Sequence, residues 1–177
     1  DFGGEWVRTG YDRGVPMGGV LEESGTAPTF LVEALKDPDG ANLDRVQIVK
    51  GWIDGNGAMQ ERVFDIAWSD ADTRRMDGGK LAPVGDTVNR KTATYGNSIG
   101  AAQLRTAWTD PDYRPGQRAF YYVRVLEIPT PRWVLYDAAE YGFSLSDEIM
   151  AEMVAQERAY SSPIWIAPPA QTRSDEG

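Results

Sequence analysis

Arg45-Val46-Gln47-Ile48-Val49-Lys50, the turn Asp54-Gly55-Asn56-Gly57, and Arg62-Val63-Phe64-Asp65-Ile66-Ala67-Trp68 form the stretch that decides the fold. Both flanking runs alternate polar and apolar side chains, the pattern of a strand with one face buried and one face wet. The turn combines Asp and Asn, which bond their own backbone, with glycines that accept positive φ. The two runs are therefore predicted to pair as an antiparallel hairpin. Its inward set is Val46, Ile48, Phe64 and Ile66, and a slip of one residue would exchange the two faces.

The same reading extends outward. Thr29-Phe30-Leu31-Val32-Glu33-Ala34-Leu35 is strand-like and stops at Asp37-Pro38-Asp39-Gly40. Ala101 to Trp108 and Arg118 to Glu127 are further strands, separated by the turn Thr109-Asp110-Pro111-Asp112. Phe120 or Tyr121, with Val123 and Val125, is expected in the core. Pro163 to Ala167 is a short last strand, whereas Asp70 to Asn97 shows no sustained period and reads as a surface excursion. Ile149, Met150, Met153 and Val154 recur at helical spacing behind Ser146-Asp147-Glu148, an N-cap followed by an acidic first turn. The expected fold is mainly β: an antiparallel β-sandwich, immunoglobulin-like or jelly-roll-like, with long loops and one short C-terminal helix. Residues 1–167 form one domain in this reading, and 168–177 a flexible tail.

Composition narrows the chemistry. The 177 residues include no histidine and no cysteine, so the usual imidazole bases, thiolate nucleophiles and soft-metal ligands are missing. A serine triad is excluded with them. The net charge of -9 repels phosphate backbones and anionic lipid, which argues against nucleic acid as a partner. No apolar run approaches the roughly 20 residues of a membrane span. Absence of cysteine fits an exported or periplasmic bacterial protein as well as a cytoplasmic one. Because the sequence opens at Asp1, it is expected to be a piece of a longer protein. The carboxylate pairs Glu22-Glu23 and Asp70 with Asp72 lack apolar framing and read as solvated surface.

Specific blocks resemble a known family. Gly14-Val15-Pro16-Met17-Gly18-Gly19, Ala34 to Asp44, Ile48-Val49-Lys50-Gly51-Trp52, Gly100 to Leu104, Ala119 to Trp133 and Gln156 to Trp165 occur in order and resemble the C-terminal part of the bacterial domain-of-unknown-function family 3604. That resemblance implies a longer parent. Its N-terminal domain would be similar to the polymerase-and-histidinol-phosphatase superfamily of metal-dependent hydrolases, with divalent metals on histidines and acidic residues. None of those histidine motifs is present, so no catalytic residue, metal ligand or cofactor is carried over to this chain.

The function expected is a non-catalytic accessory domain that packs on its own N-terminal hydrolase domain and helps complete that domain's active-site cleft. Two segments are assigned to the interface, because both join proline, arginine and large apolar side chains outside regular alternation. They are Tyr11 to Gly19, with Tyr11, Arg13, Pro16 and Met17, and Ile128 to Trp133, with Pro129, Pro131, Arg132 and Trp133. Exposure of such a patch is expected to make the isolated chain self-associate. The rival is a module that binds carbohydrate or another ligand through exposed aromatics drawn from Trp52, Trp68, Trp108, Tyr121, Tyr122, Trp133 and Trp165, although most of these rings are expected to be core or domain-interface anchors. Asp37, Asp39, Asp54 and Asn56 have the opening spacing of a calcium loop without its closing glutamate, and turn chemistry accounts for them.

Overall fold

The computed structural model describes residues 5–167; the segment read as a flexible tail lies outside them. A helix, α1 (Trp6–Arg13), precedes strands β1 (Val20–Glu22) and β2 (Thr29–Leu35). The deciding hairpin follows as β3 (Leu43–Ile53) and β4 (Met59–Trp68). Next come β5 (Met76–Asp77), β6 (Lys80–Leu81), β7 (Gln103–Thr109), β8 (Ala119–Glu127) and β9 (Thr130–Pro131). The remainder runs α2 (Trp133–Tyr141), α3 (Asp147–Glu152), β10 (Val154–Ala155), β11 (Arg158–Tyr160) and β12 (Ile164–Ala167).

The β3–β4 hairpin pairs antiparallel from Arg45 opposite Trp68 to Ile53 opposite Met59. Its turn is tied by Asp54 Oδ1, which accepts from the backbone N–H of Asn56 and of Ala58, both at 2.9 Å. The register shifts between Val46 and Gln47, so Val46 faces Ala67 while Gln47 faces Asp65. This bulge places one extra residue, Ile66, on β4 and bends the strand.

β3 lies between β8 and the edge strand β4 in the main sheet, whose order is β1-β12-β8-β3-β4, with β11 pairing a second stretch of β8. A separate antiparallel ribbon of β2 and β7 lies on its inner face. Phe30 and Val32 of β2 and Leu104 of β7 pack with Leu43, Val46, Ile48, Ala119, Tyr121 and Ile166 of the sheet. Phe30 meets Tyr121 at 4.7 Å between ring centroids, and Phe64 meets Trp108 at 4.9 Å. Each fully buried aliphatic side chain here contributes about 1.5–3 kcal/mol. Val46 and Ile48 are buried as expected, Tyr121 rather than Phe120 enters the core, and Phe64, Ile66, Val123 and Val125 are half-buried.

The chain is mainly β, with mixed and antiparallel sheets. Two expectations change. The pair β1–β12 runs parallel, because nearly the whole domain separates the strands and no tight turn constrains their direction. Among the described residues three helices stand where one C-terminal helix was expected. α3 is that helix: Ser146 Oγ accepts from Ile149 N–H, but Val154 leaves it to pair with Pro131. α2 buries Leu135 and ends at Gly142, whose φ of 70° lets its N–H return to Ala138 O. α1 buries nothing of its own and is held by the Arg105 guanidinium, 4.3 Å from the centre of the Trp6 ring.

Candidate functional site

Three features carry enough chemistry to be sites. The first follows from unequal strand lengths: β3 has 11 residues and β4 has 10, while β2 and β7 have 7 each. The hairpin therefore overhangs the ribbon. The connection from Asp110 to Arg118 arches over the overhang and leaves a half-open cleft of about 500 Å³ between itself and the hairpin tip. Parity places Lys50 and Trp52 of β3 and Gln60 and Arg62 of β4 on this side of the sheet.

Lys50 is buried at the floor. Its Nζ donates to Asp110 Oδ2 at 2.6 Å and to the Asp112 backbone oxygen at 3.0 Å, and it lies over the Trp52 and Tyr121 rings. The Tyr121 hydroxyl donates to the same Asp110 oxygen at 2.7 Å; burial first, and then that hydrogen bond, hold the phenol proton far above its ordinary range. At the rim Arg62 pairs with Asp112, and Gln60 Nε2 donates to Asp54 Oδ2 at 2.9 Å. Hydrogen bonds from the Ala58 and Asn56 amides keep the Asp54 carboxyl below the usual carboxylate range. The Tyr113 hydroxyl donates to Glu23 at 2.9 Å and is pushed up to about 12, by burial before the carboxylate.

The second feature is a polar network at the opposite end of β3. Arg74 is buried, although it lies in the excursion that showed no sequence period. Its guanidinium donates to Asp44 Oδ1 at 2.7 Å, to Ser69 Oγ at 3.1 Å and to the Ala82 backbone oxygen at 2.8 Å. Asp44 Oδ2 also accepts from Arg45 at 3.0 Å and from Gln156 at 2.9 Å. Every charge is answered, and the arrangement fastens the excursion to the sheet.

The third feature is the outer face of the main sheet. Gly51 leaves room there for Phe120, since a Cβ on Gly51 would fall 2.3 Å from Phe120 Cζ. From Phe120 an aromatic row runs in both directions, to Trp165 at 5.2 Å and to Tyr122 at 6.4 Å, with Tyr160 6.1 Å beyond Tyr122. Trp165 is 50% exposed and Tyr160 58%, and Val20, Ile53 and Val63 are exposed on the same face. Towards Gln47 the face turns polar: Arg124 donates to Gln47 at 2.7 Å, and Gln47 to Asp65 at 2.8 Å.

Of the residues singled out from the sequence, Trp52 and Asp54 line the cleft and Tyr122 and Trp165 join the outer row, whereas the residues assigned to the domain interface fall elsewhere. Tyr11 and Arg13 are exposed on α1, and Pro16 and Met17 on the loop that leads to β1. Arg132 and Trp133 are exposed at the head of α2, but Pro129 is half-buried and Pro131 is buried against Val154. The two segments stand at opposite ends of β8. Gly18 bonds Pro163 beside the Ile164–Tyr121 pairing, while Ile128 bonds Asn42, a separation of roughly 20 Å along the strand. Asp37 accepts from the Asp39 amide at 2.9 Å, and Lys36 Nζ donates to the carbonyls of Asp37, Pro38 and Gly40. An ammonium thus occupies the mouth of that turn. Among the described residues no group of three or more acidic side chains converges as a metal site, and no helix is long and apolar enough to cross a membrane.

Sequence reasoning missed Lys50, Asp110 and Arg74. The signal for Lys50 was present, because Val46, Ile48 and Lys50 share a parity and two of them point inward.

No curated protein and no solved structure matches the chain significantly. A family model does match, over residues 3–168. The chain belongs to the family described as a protein of unknown function, DUF3604.

Proposed function

We propose that this chain is a non-catalytic accessory domain that acts by contact, and that the outer face of its main sheet is the contact surface. The partner in this reading is the metal-dependent hydrolase domain that the family resemblance implies for the longer protein, with the β2–β7 ribbon and main sheet forming a sandwich-type support. One observation carries it: β8, in the middle of the main sheet, carries large apolar side chains on both faces, Tyr121, Val123 and Val125 inward and Phe120 and Tyr122 outward. A sheet with one solvated face alternates apolar and polar side chains, whereas sheets covered on both sides do not. Phe120, Tyr122, Tyr160 and Trp165 oppose the inner core across the same strands. Aromatic side chains are also what buried interface centres enrich. Of the two segments assigned from sequence, Tyr11 to Gly19 joins the sheet beside Trp165 and extends this surface.

Hydroxyl-radical footprinting of the full-length family protein and of this chain tests the reading. Tyr160, Trp165 and Met17 should react in the chain and be shielded in the longer protein. Equal reactivity in both would remove the outer face as the interface. A second measurement separates contact from chemistry: the purified chain with divalent metals should not turn over phosphoesters, esters or lactones. Turnover that follows the protein through purification would make it an enzyme.

A further inference from the structure

We infer that the cleft between the β3–β4 tip and the 110–118 connection is a binding site for a neutral saccharide, independent of the outer face. Its volume of about 500 Å³ lies within the roughly 300–1,000 Å³ of small-molecule sites. Trp52 offers an apolar ring surface, suited to the C–H face of a pyranose. Around it stand planar polar groups, Gln60, Arg62, Asp112 and Gln117, which can bind adjacent hydroxyls in pairs.

The state of the charges selects a neutral ligand. Lys50 is matched by Asp110 and Arg62 by Asp112, while Asp54 is satisfied by two amides and Gln60. A charged ligand seated at the Lys50 or Arg62 pair would have to split it and leave a partner uncompensated; Arg114 lines only the exposed rim, where solvent and salt screen its charge. Hydroxyl groups would instead use the free lone pairs and N–H groups of pairs that stay intact. The net charge of -9 further disfavours anions at long range.

The test titrates the 177-residue chain, labelled with ¹⁵N, with neutral gluco-, xylo- and manno-oligosaccharides, with galacturonate and with inorganic phosphate. The Trp52 indole N–H signal, assigned through Trp52→Phe, reports binding. At least one neutral saccharide should shift it with a Kd of about 1 mM or tighter. The surface variants Gln60→Ala and Gln117→Ala, with unchanged circular dichroism, should each weaken binding about fivefold, or about 1 kcal/mol. The site is refuted if no neutral sugar shifts Trp52 at about 10 mM, ten times the Kd sought, or if only galacturonate or phosphate does. Saccharide binding unaltered in both variants would place the sugar outside the cleft and refute it equally.

Discussion

Lys50 and Asp110 form an ion pair of 2.6 Å whose side chains are 2% and 0% exposed. It joins β3 of the main sheet to the first residue beyond the ribbon, and Tyr121 closes it from the core side. Removal of the carboxylate would strand an ammonium in the interior. Asp110→Ala should cost about 3–5 kcal/mol in urea unfolding. The double variant Lys50→Met with Asp110→Asn removes the charge and keeps an acceptor for Tyr121, so it should recover most of that loss. A double variant as unstable as the single one would show that the pair does more than neutralise itself.

Gly51 and Phe120 should be strongly coupled. A methyl group at residue 51 must displace the ring, so Gly51→Ala should destabilise by about 1–3 kcal/mol. With Phe120→Ala in place the obstacle is gone, and alanine should then be tolerated or preferred by about 0.5–1 kcal/mol. A thermodynamic cycle over the four proteins measures the difference. Additive effects would contradict the close approach.

Arg74→Ala should release the excursion. Arg45 still faces Asp44, so the cost is expected near the low end of the range for a broken buried pair, about 3 kcal/mol. Trypsin should then cut after Arg75 and Lys80 faster than in the parent. Arg74→Lys keeps the charge but loses the fork that reaches Asp44, Ser69 and Ala82 together, and should fall between the two.

Glu127 supplies a pH signature. Burial first, and then the neighbouring Glu157, raise its carboxyl above the usual 4.5. A raised carboxyl binds its proton more tightly when folded, so its contribution to stability is present at low pH and lost as pH rises through the folded pKa. Glu127→Gln should therefore raise the melting midpoint at pH 7 and lose that advantage near pH 4, where both states of the parent are largely protonated. An equal gain at both pH values would point to packing instead.

The hairpin was legible because its signal is local: alternation gave the inward parity of Val46 and Ile48, and Asp54 to Gly57 gave the turn. The bulge at Val46/Gln47 was not, because an extra residue on β4 is defined only against its partner strand. α1 contains Thr9 and Gly10, poor helix formers, and depends on Arg105, far away in sequence. Lys50 shows a different limit. Parity placed it inside, but its charge suggested the surface until a buried Asp110 was known. The outer aromatic row was half visible: Phe120 and Tyr122 share a parity within one strand, whereas Trp165 and Tyr160 join them only through register across β12 and β11.

The parallel pairing of β1 with β12 has a mechanical consequence. Tension applied from the N-terminal side of Val20 and the C-terminal side of Ala167 pulls the two strands past each other along their own axes. Their hydrogen bonds are then loaded together in shear, and cannot open one after another as in a hairpin pulled apart from its ends. A short edge pairing thereby becomes a clasp that resists stretching of the polypeptide on either side of the domain.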